Sequence, residues 1–279
     1  MWNYIKIEMR RAFQSKGMLY GLLAACSISI IQIIIDVLPM LEFLQPISEI
    51  TSKKDIMFPH TVFQHALPFN ASSAISLYYY MIIPIFSAIP FATTLYRDQK
   101  NGYTKNVFTR TAKNNYYIAQ YFSAFVSAGV VAVVPQILNV LIVAIILPST
   151  KPYAGIGYVG IFSDCMFSVV YYKNPYIYLF IFLVIDFIVF GLLNTMALSL
   201  SSYMRSEFAV LMIPFLILQF IDFATECIEA SNYSILGITM PMQPYINVSF
   251  KTVMIYCLVM VIIDVIAMRR QDMRKDWYE

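Results

Sequence analysis

Four carboxylates interrupt stretches of sequence that are otherwise apolar: Asp36, Asp186, Asp222 and Asp264. The amides Gln32, Gln136, Asn139, Asn194 and Gln219 accompany them. An ionisable group embedded in hydrocarbon is costly; it faces a protein interior or water and marks a path or an internal partner. Asp186 lies deepest, about ten residues from the nearer end of its apolar run. Asp186 with Gln136, Asn139 and Asn194 is therefore expected to line a polar translocation path. Helix–helix hydrogen bonding is the alternative use of such residues. Asp264 precedes Arg269 and Arg270 and is expected to form an ion pair with them. Asp36 and Asp222 fall towards the ends of their runs, where solvent reaches.

Other chemistries lack their residues. There is no H-E-x-x-H, no G-x-S-x-G and no histidine in an apolar run, which counts against an intramembrane hydrolase. His60 and His65, the two histidines, stand five apart with Asp55 nearby, a spacing that does not put both on one helical face. No metal site is expected. Cys165 and Cys227 fall in loops on one side and would pair only in an oxidising compartment, while Cys26 and Cys257 read as packing residues. The phosphate-binding pattern G-x-x-x-x-G-K-[ST] is missing too; GIGYVG at 155–160 has no lysine. No nucleotide or other cofactor is expected on this chain. Any energy source is a partner or an ion gradient.

Composition supplies the frame for these residues. Of 279 residues, 59% are apolar and 13% charged, far from the roughly one-quarter charged of a soluble domain. The bilayer has to be the main solvent. A helix needs about 20 mostly apolar residues to cross it. Six runs qualify or nearly so: Gly17–Met40, Ile75–Tyr96, Tyr117–Leu147, Tyr176–Ser202, the shorter Phe208–Phe223, and Val248–Met268. The first is too long for a signal-peptide core and is expected to remain as a span. Residues 224–247, carrying Pro241 and Pro244, are expected to be irregular or re-entrant. The fold class is all-α, polytopic, with one transmembrane domain.

Basic residues set the orientation. With the N-terminus inside, 14 of the 19 Lys and Arg fall on the cytoplasmic side, which predicts both termini in the cytoplasm.

Two segments outside the spans carry helical patterning. Residues 2–16 place Trp2, Ile5, Met9 and Phe13 at helical spacing with Arg10, Arg11 and Gln14 off the stripe, as in an interfacial helix resting on lipid headgroups. The loop after the second span, 98–113, has Gly102 placed to end one helix, then a short helix over Tyr103–Thr111. There Val107 and Phe108 offer an apolar face between Lys105, Arg110 and Lys113. Such a helix is a handle for a soluble partner, or simply a positive loop that fixes topology.

This layout resembles the permease subunits of ABC-2 (type V) exporters of bacteria. The shared features are the acidic residue and Gly after the second span, a short basic helix, an aromatic start to the third span and an amphipathic N-terminal helix. The stretch GLLNTMALSLSSYMRSEFAVLMIPFLILQF looks like the family's fourth-to-fifth span region, with its tight turn at Met204–Glu207. Where many members carry a Pro and an Arg before the third span, this chain reads Thr111-Ala112-Lys113-Asn114-Asn115. The resemblance implies a cell-membrane transport subunit whose coupling helix, with Lys105, Val107, Phe108 and Arg110, docks on a separate ATP-binding-cassette ATPase. Mg-ATP would sit on that ATPase, and a second permease chain, identical or related, would complete the pore. An amphiphilic peptide, lipid-like molecule or drug would be the cargo; lipid is the surrounding contact and nucleic acid is not a partner. The alternatives are a stand-alone secondary transporter, for which no internal repeat is found, and an intramembrane enzyme.

Overall fold

The computed structural model describes residues 2–43, 61–152, 161–162, 164–245 and 247–273. Among them His60, Asp55, the 155–160 segment, Arg274 and Lys275 are not included. The described residues are helical, joined by turns. The helices are α1 (Trp2–Phe13), α2 (Lys16–Gln32), α3 (Val62–His65), α4 (Ala74–Ala88), α5 (Thr94–Lys100), α6 (Tyr103–Phe108), α7 (Lys113–Ile146), α8 (Ser168–Lys173), α9 (Pro175–Ser201), α10 (Glu207–Cys227), α11 (Ile235–Thr239) and α12 (Phe250–Met273). Five helical segments among the described residues are long and apolar enough to cross a membrane: Lys16–Leu41, Lys113–Ile146, Pro175–Ser201, Glu207–Cys227 and Phe250–Arg270. The chain is a multi-pass α-helical membrane protein.

The second expected crossing is shorter than its sequence run. α4 ends at Ala88, at about 22 Å, and a turn at 89–93 separates it from α5. Pro90 sits in that turn and has no N–H with which to continue the helix. The fifth run is longer than expected. α10 continues past Phe223 to Cys227 because its polar groups find local partners: Thr225 donates to the Asp222 carbonyl, and the Asp222 carboxylate accepts from Ser234 and from the Leu236 N–H. Asp222 is thus bonded within the protein rather than solvated. Asp36 is likewise held, by the Ser73 hydroxyl. Among the described residues, 228–249 are irregular apart from a 3-10 turn at Ser231–Tyr233 and the short helix α11. α2 loosens into a π-helical turn at Ile33–Val37 and a 3-10 helix at Leu38–Phe43.

The bundle is organised about α7, a 34-residue helix about 51 Å long. It packs along α9 and touches α1, α2 and α4. α12 lies on α9 and touches α7 sparsely. The outward faces of α2, α10 and α12 are apolar and exposed, including Leu23, Ile34, Phe220, Leu258 and Ile262, as a lipid-facing surface requires.

Without a hydrophobic drive between helices in lipid, close backbone approach matters most. Gly17 and Gly21, four apart on α2, supply it against α4. A Cβ on Gly17 would stand 2.8 Å from the Ile89 carbonyl oxygen, and one on Gly21 would stand 2.8 Å from that of Phe86. Backbone cannot yield as a side chain does. Gly21→Val should therefore destabilise the protein by roughly 2–3 kcal/mol, lowering the thermal unfolding midpoint in detergent. Leu19→Ala, on the exposed face, should leave that midpoint unchanged.

Candidate functional site

The most elaborate polar assembly lies at the end of the bundle that carries α1, α5 and α6. Ser15 ends the turn after α1 and caps α2 by accepting from the Met18 N–H, so α1 is folded back against the bundle. Its inward face is Ile5, Glu8 and Ala12, all buried. The expected stripe is therefore split. Ile5 is inside, Met9 is half-buried, and Trp2 and Phe13 are exposed. A carboxylate rather than an apolar residue occupies the centre of the packed face. Glu8 is only 2% exposed.

Glu8 is accommodated by a network. Arg11 donates two bonds to Asp98 at 2.8 and 2.5 Å, a bidentate pair across 87 residues of sequence. It also lies 3.6 Å from Glu8. The Tyr116 hydroxyl donates to Asp98 at 2.7 Å. The Gln120 amide nitrogen reaches both acids, at 3.2 Å from Glu8 and 3.3 Å from Asp98. Two buried carboxylates thus share one guanidinium. The Asp98 bond pushes the Arg11 pKa up, so the cation is locked on. Burial pushes Glu8 up from 4.5 to about 7, with Arg11 pulling it down and Asp98 adding to the rise.

Helix α5, which carries Asp98, is pinned at three further points. Arg97 pairs with Glu207 at 2.6 Å, the Tyr96 hydroxyl donates to the Arg205 carbonyl, and Gln99 meets Ser202. These contacts fix the loop to the turn between α9 and α10. Gly102, left-handed at φ 70°, ends α5 and starts α6 with no neighbour near its missing side chain. On α6, Val107 and Phe108 are half-buried and point into the protein, against a cluster that includes Ala12, Leu95, Tyr116 and Tyr117. The Phe108 ring meets Tyr116 edge-on at 5.6 Å. Tyr103, Lys105, Asn106, Thr109 and Arg110 are the exposed residues of this helix and its end. A groove of about 610 Å³ runs between α1 and α6, with Tyr4, Ile7 and Glu8 on one wall and Tyr103, Asn106 and Arg110 on the other.

The four mid-bundle residues, Asp186, Gln136, Asn139 and Asn194, are all fully buried by the chain's own helices. Asp186 accepts from Gln136 at 2.7 Å, and Gln136 in turn accepts from Tyr80. Asn139 belongs to a separate knot with Gln32, the Ser29 carbonyl and the Leu67 N–H. Asn194 donates to the Ala124 carbonyl. Asp264 accepts from Thr195 and Ser199 at 2.5 and 2.7 Å. The expected pairing with Arg269 or Arg270 is not formed: both arginines are exposed and no ion pair joins them to Asp264 among the described residues. Cys165 is buried and Cys227 exposed, both as free thiols. Among the described residues no three His, Cys, Asp or Glu side chains gather as a metal-ligand set.

No family model, curated protein or solved structure matches this chain.

Sequence reasoning placed the loop and its acidic residue, Asp98, but missed Glu8 and the pairing of both acids with Arg11. Glu8 sits among basic residues, where its burial is not evident. The signal was present in the i, i+3, i+7 spacing of Ile5, Glu8 and Ala12.

The Glu8 carboxyl gives a pH test with a definite sign. The folded protein holds this proton to higher pH than the unfolded chain. The docked state of α1 therefore has its full stability below pH 4.5 and loses it as pH rises through about 7. Hydrogen–deuterium exchange of α1 amides, corrected for intrinsic rates, should show protection falling roughly tenfold or more between about pH 5 and pH 8.5. Glu8→Gln should flatten that dependence.

Proposed function

We propose that this chain is the membrane subunit of a bacterial ABC-2-type exporter, with α6 as the element that docks on a separate ATPase. The observation that carries this reading is the anchoring of the α5–α6 loop. It is tied to α1 through Arg11–Asp98 and to the α9–α10 turn through Arg97–Glu207. A push on α6 would therefore be delivered at once to the N-terminal helix and to the head of two long helices, as a mechanical coupling needs. A loop that served only to fix topology would need basic residues and none of these bonds.

In this reading α4 and the turn beyond it form a sixth crossing and both termini are cytoplasmic, in keeping with the basic residues gathered at the α1 end. A second permease chain, identical or related, covers part of the lipid-facing surface. Mg-ATP belongs to the partner ATPase. Asp186, Gln136, Asn139 and Asn194 join a translocation path only where the helices they hold separate, since in this conformation Asp186, Gln136 and Asn194 tie α4, α7 and α9 together and Asn139 ties α7 to α2.

The partner-facing residues follow from burial. Lys105 and Arg110 project outwards, while Val107 and Phe108 help hold α6 in place. Affinity purification in mild detergent should recover a stoichiometric ATPase. The Lys105→Glu, Arg110→Glu double variant should lower the recovered ATPase roughly tenfold or more while eluting as a monodisperse, folded protein. Phe108→Asp should lose the fold of the loop itself. Recovery of a lone chain that transports without nucleotide would refute the reading.

A further inference from the structure

Because α12 and α7 both lie along α9 but scarcely touch each other, a slot of about 300 Å³ remains between them. It lies towards the basic end of the bundle and is open at its side, where Phe122, Val261 and Val265 are exposed. Tyr121, Phe122 and Phe125 form one wall, Val261 and Val265 the other, and Leu192 the floor. Phe125 can lie this close to α9 because Gly191 has no side chain; a Cβ there would stand 2.6 Å from the ring. The slot is at the lower limit of small-molecule pockets and shares their usual character, an apolar lining with few polar groups.

One of those groups is the Asp264 carboxylate, which lines the slot. It has no cationic partner among the described residues. A carboxylate offers about four acceptor sites, and this one meets two hydroxyls, both already engaged. Thr195 is also within 2.7 Å of the Leu192 carbonyl, and Ser199 within 3.0 Å of the Thr195 carbonyl. Each hydroxyl has one hydrogen to give and shares it between Asp264 and a helix carbonyl, so the carboxylate keeps acceptor capacity and has no cation beside it. An occupant complementary to this slot is apolar over most of its surface and carries one ammonium. The ammonium would meet the carboxylate and the faces of the neighbouring rings, which attract cations.

We propose that the α7–α9–α12 slot is a binding site for a hydrophobic primary amine entering sideways from the bilayer, with Asp264 holding the ammonium and the aromatic wall holding the chain. The site is distinct from the docking loop, and its test does not depend on the chain having an ATPase partner. The chemistry has two sources, a free aliphatic amine or the amino headgroup of a membrane lipid.

The full chain in phosphatidylcholine nanodiscs is exposed to decylamine bearing a tail diazirine, alongside the matched alcohol and carboxylate. After irradiation, mass spectrometry should place the amine on peptides containing Ile118–Phe125 and Val261–Met268, roughly tenfold above the alcohol. Asp264→Asn should bring amine labelling down to the alcohol level. Val265→Trp, at an exposed position that leaves the core intact, should block labelling by both. Equal labelling by amine and alcohol, or amine labelling unchanged in Asp264→Asn, would overturn the proposal. Replacing half of the phosphatidylcholine with phosphatidylethanolamine separates the sources. Loss of labelling assigns the slot to a lipid headgroup, and persistence assigns it to a free amine.

Discussion

Hydrocarbon offers no hydrogen bonds, so the long polar side chains that α7 carries into the bundle reach for partners on other segments of the chain. That constraint organises the molecule. From one end of α7 to the other, Tyr116 and Gln120 meet α1 and the α5 loop, Tyr121 meets Ser199, Gln136 meets Asp186, and Asn139 meets Gln32 and Leu67. The contacts fix α1, the α5 loop, α9 and α2 at successive depths, α9 at two of them. Apolar packing alone would let these helices slide, since their side chains are as content against lipid as against each other. The polar knots set the register, and the glycines of α2 set how closely α4 can approach.

The same rule explains why the basic end is built as it is. Glu8 and Asp98 are placed on opposite segments, and Arg11 stands between them. Removing the guanidinium would leave two buried like charges, so α1 and the loop are held by mutual dependence rather than by a single contact. Because the Glu8 proton is held into the neutral range, the tightness of this junction varies with pH, whereas the Arg97–Glu207 pair is a substantially exposed surface contact. Two anchors of different character therefore serve one loop.

The apolar crossings were legible because length and hydropathy decide them, and five of the runs became helices of crossing length. The boundaries were less so, for identifiable reasons. Pro90 lies inside an apolar run and leaves hydropathy unchanged while breaking the helix. Asp222 looked like an endpoint, yet bonds from Ser234 and Leu236 let α10 run on. Periodicity grouped Trp2, Ile5, Met9 and Phe13 as one lipid-facing stripe; burial within the protein follows Ile5, Glu8 and Ala12, since the partner surface on α7 is polar at Tyr116 and Gln120. Val107 and Phe108 were legible as apolar but not as inward, because their neighbours Ala12, Leu95 and Leu198 come from three distant segments.

Asp186 and Asp264 show how far residue type falls short of role. Both are carboxylates on long apolar helices, and both stand out in the sequence. Asp186 is enclosed on every side, and its nearest donor, Gln136, is oriented in turn by Tyr80. This geometry spends the carboxylate on joining α7 to α9. Asp264 faces a gap, because α12 leans on α9 without closing against α7, and its donors are shared with their own helix. Arg269 and Arg270, five and six residues further on, point to the surface and leave the acid unneutralised. The difference lies in the packing of the neighbouring helices, a long-range property, and it separates a carboxylate that locks the bundle from one with room and charge for a ligand.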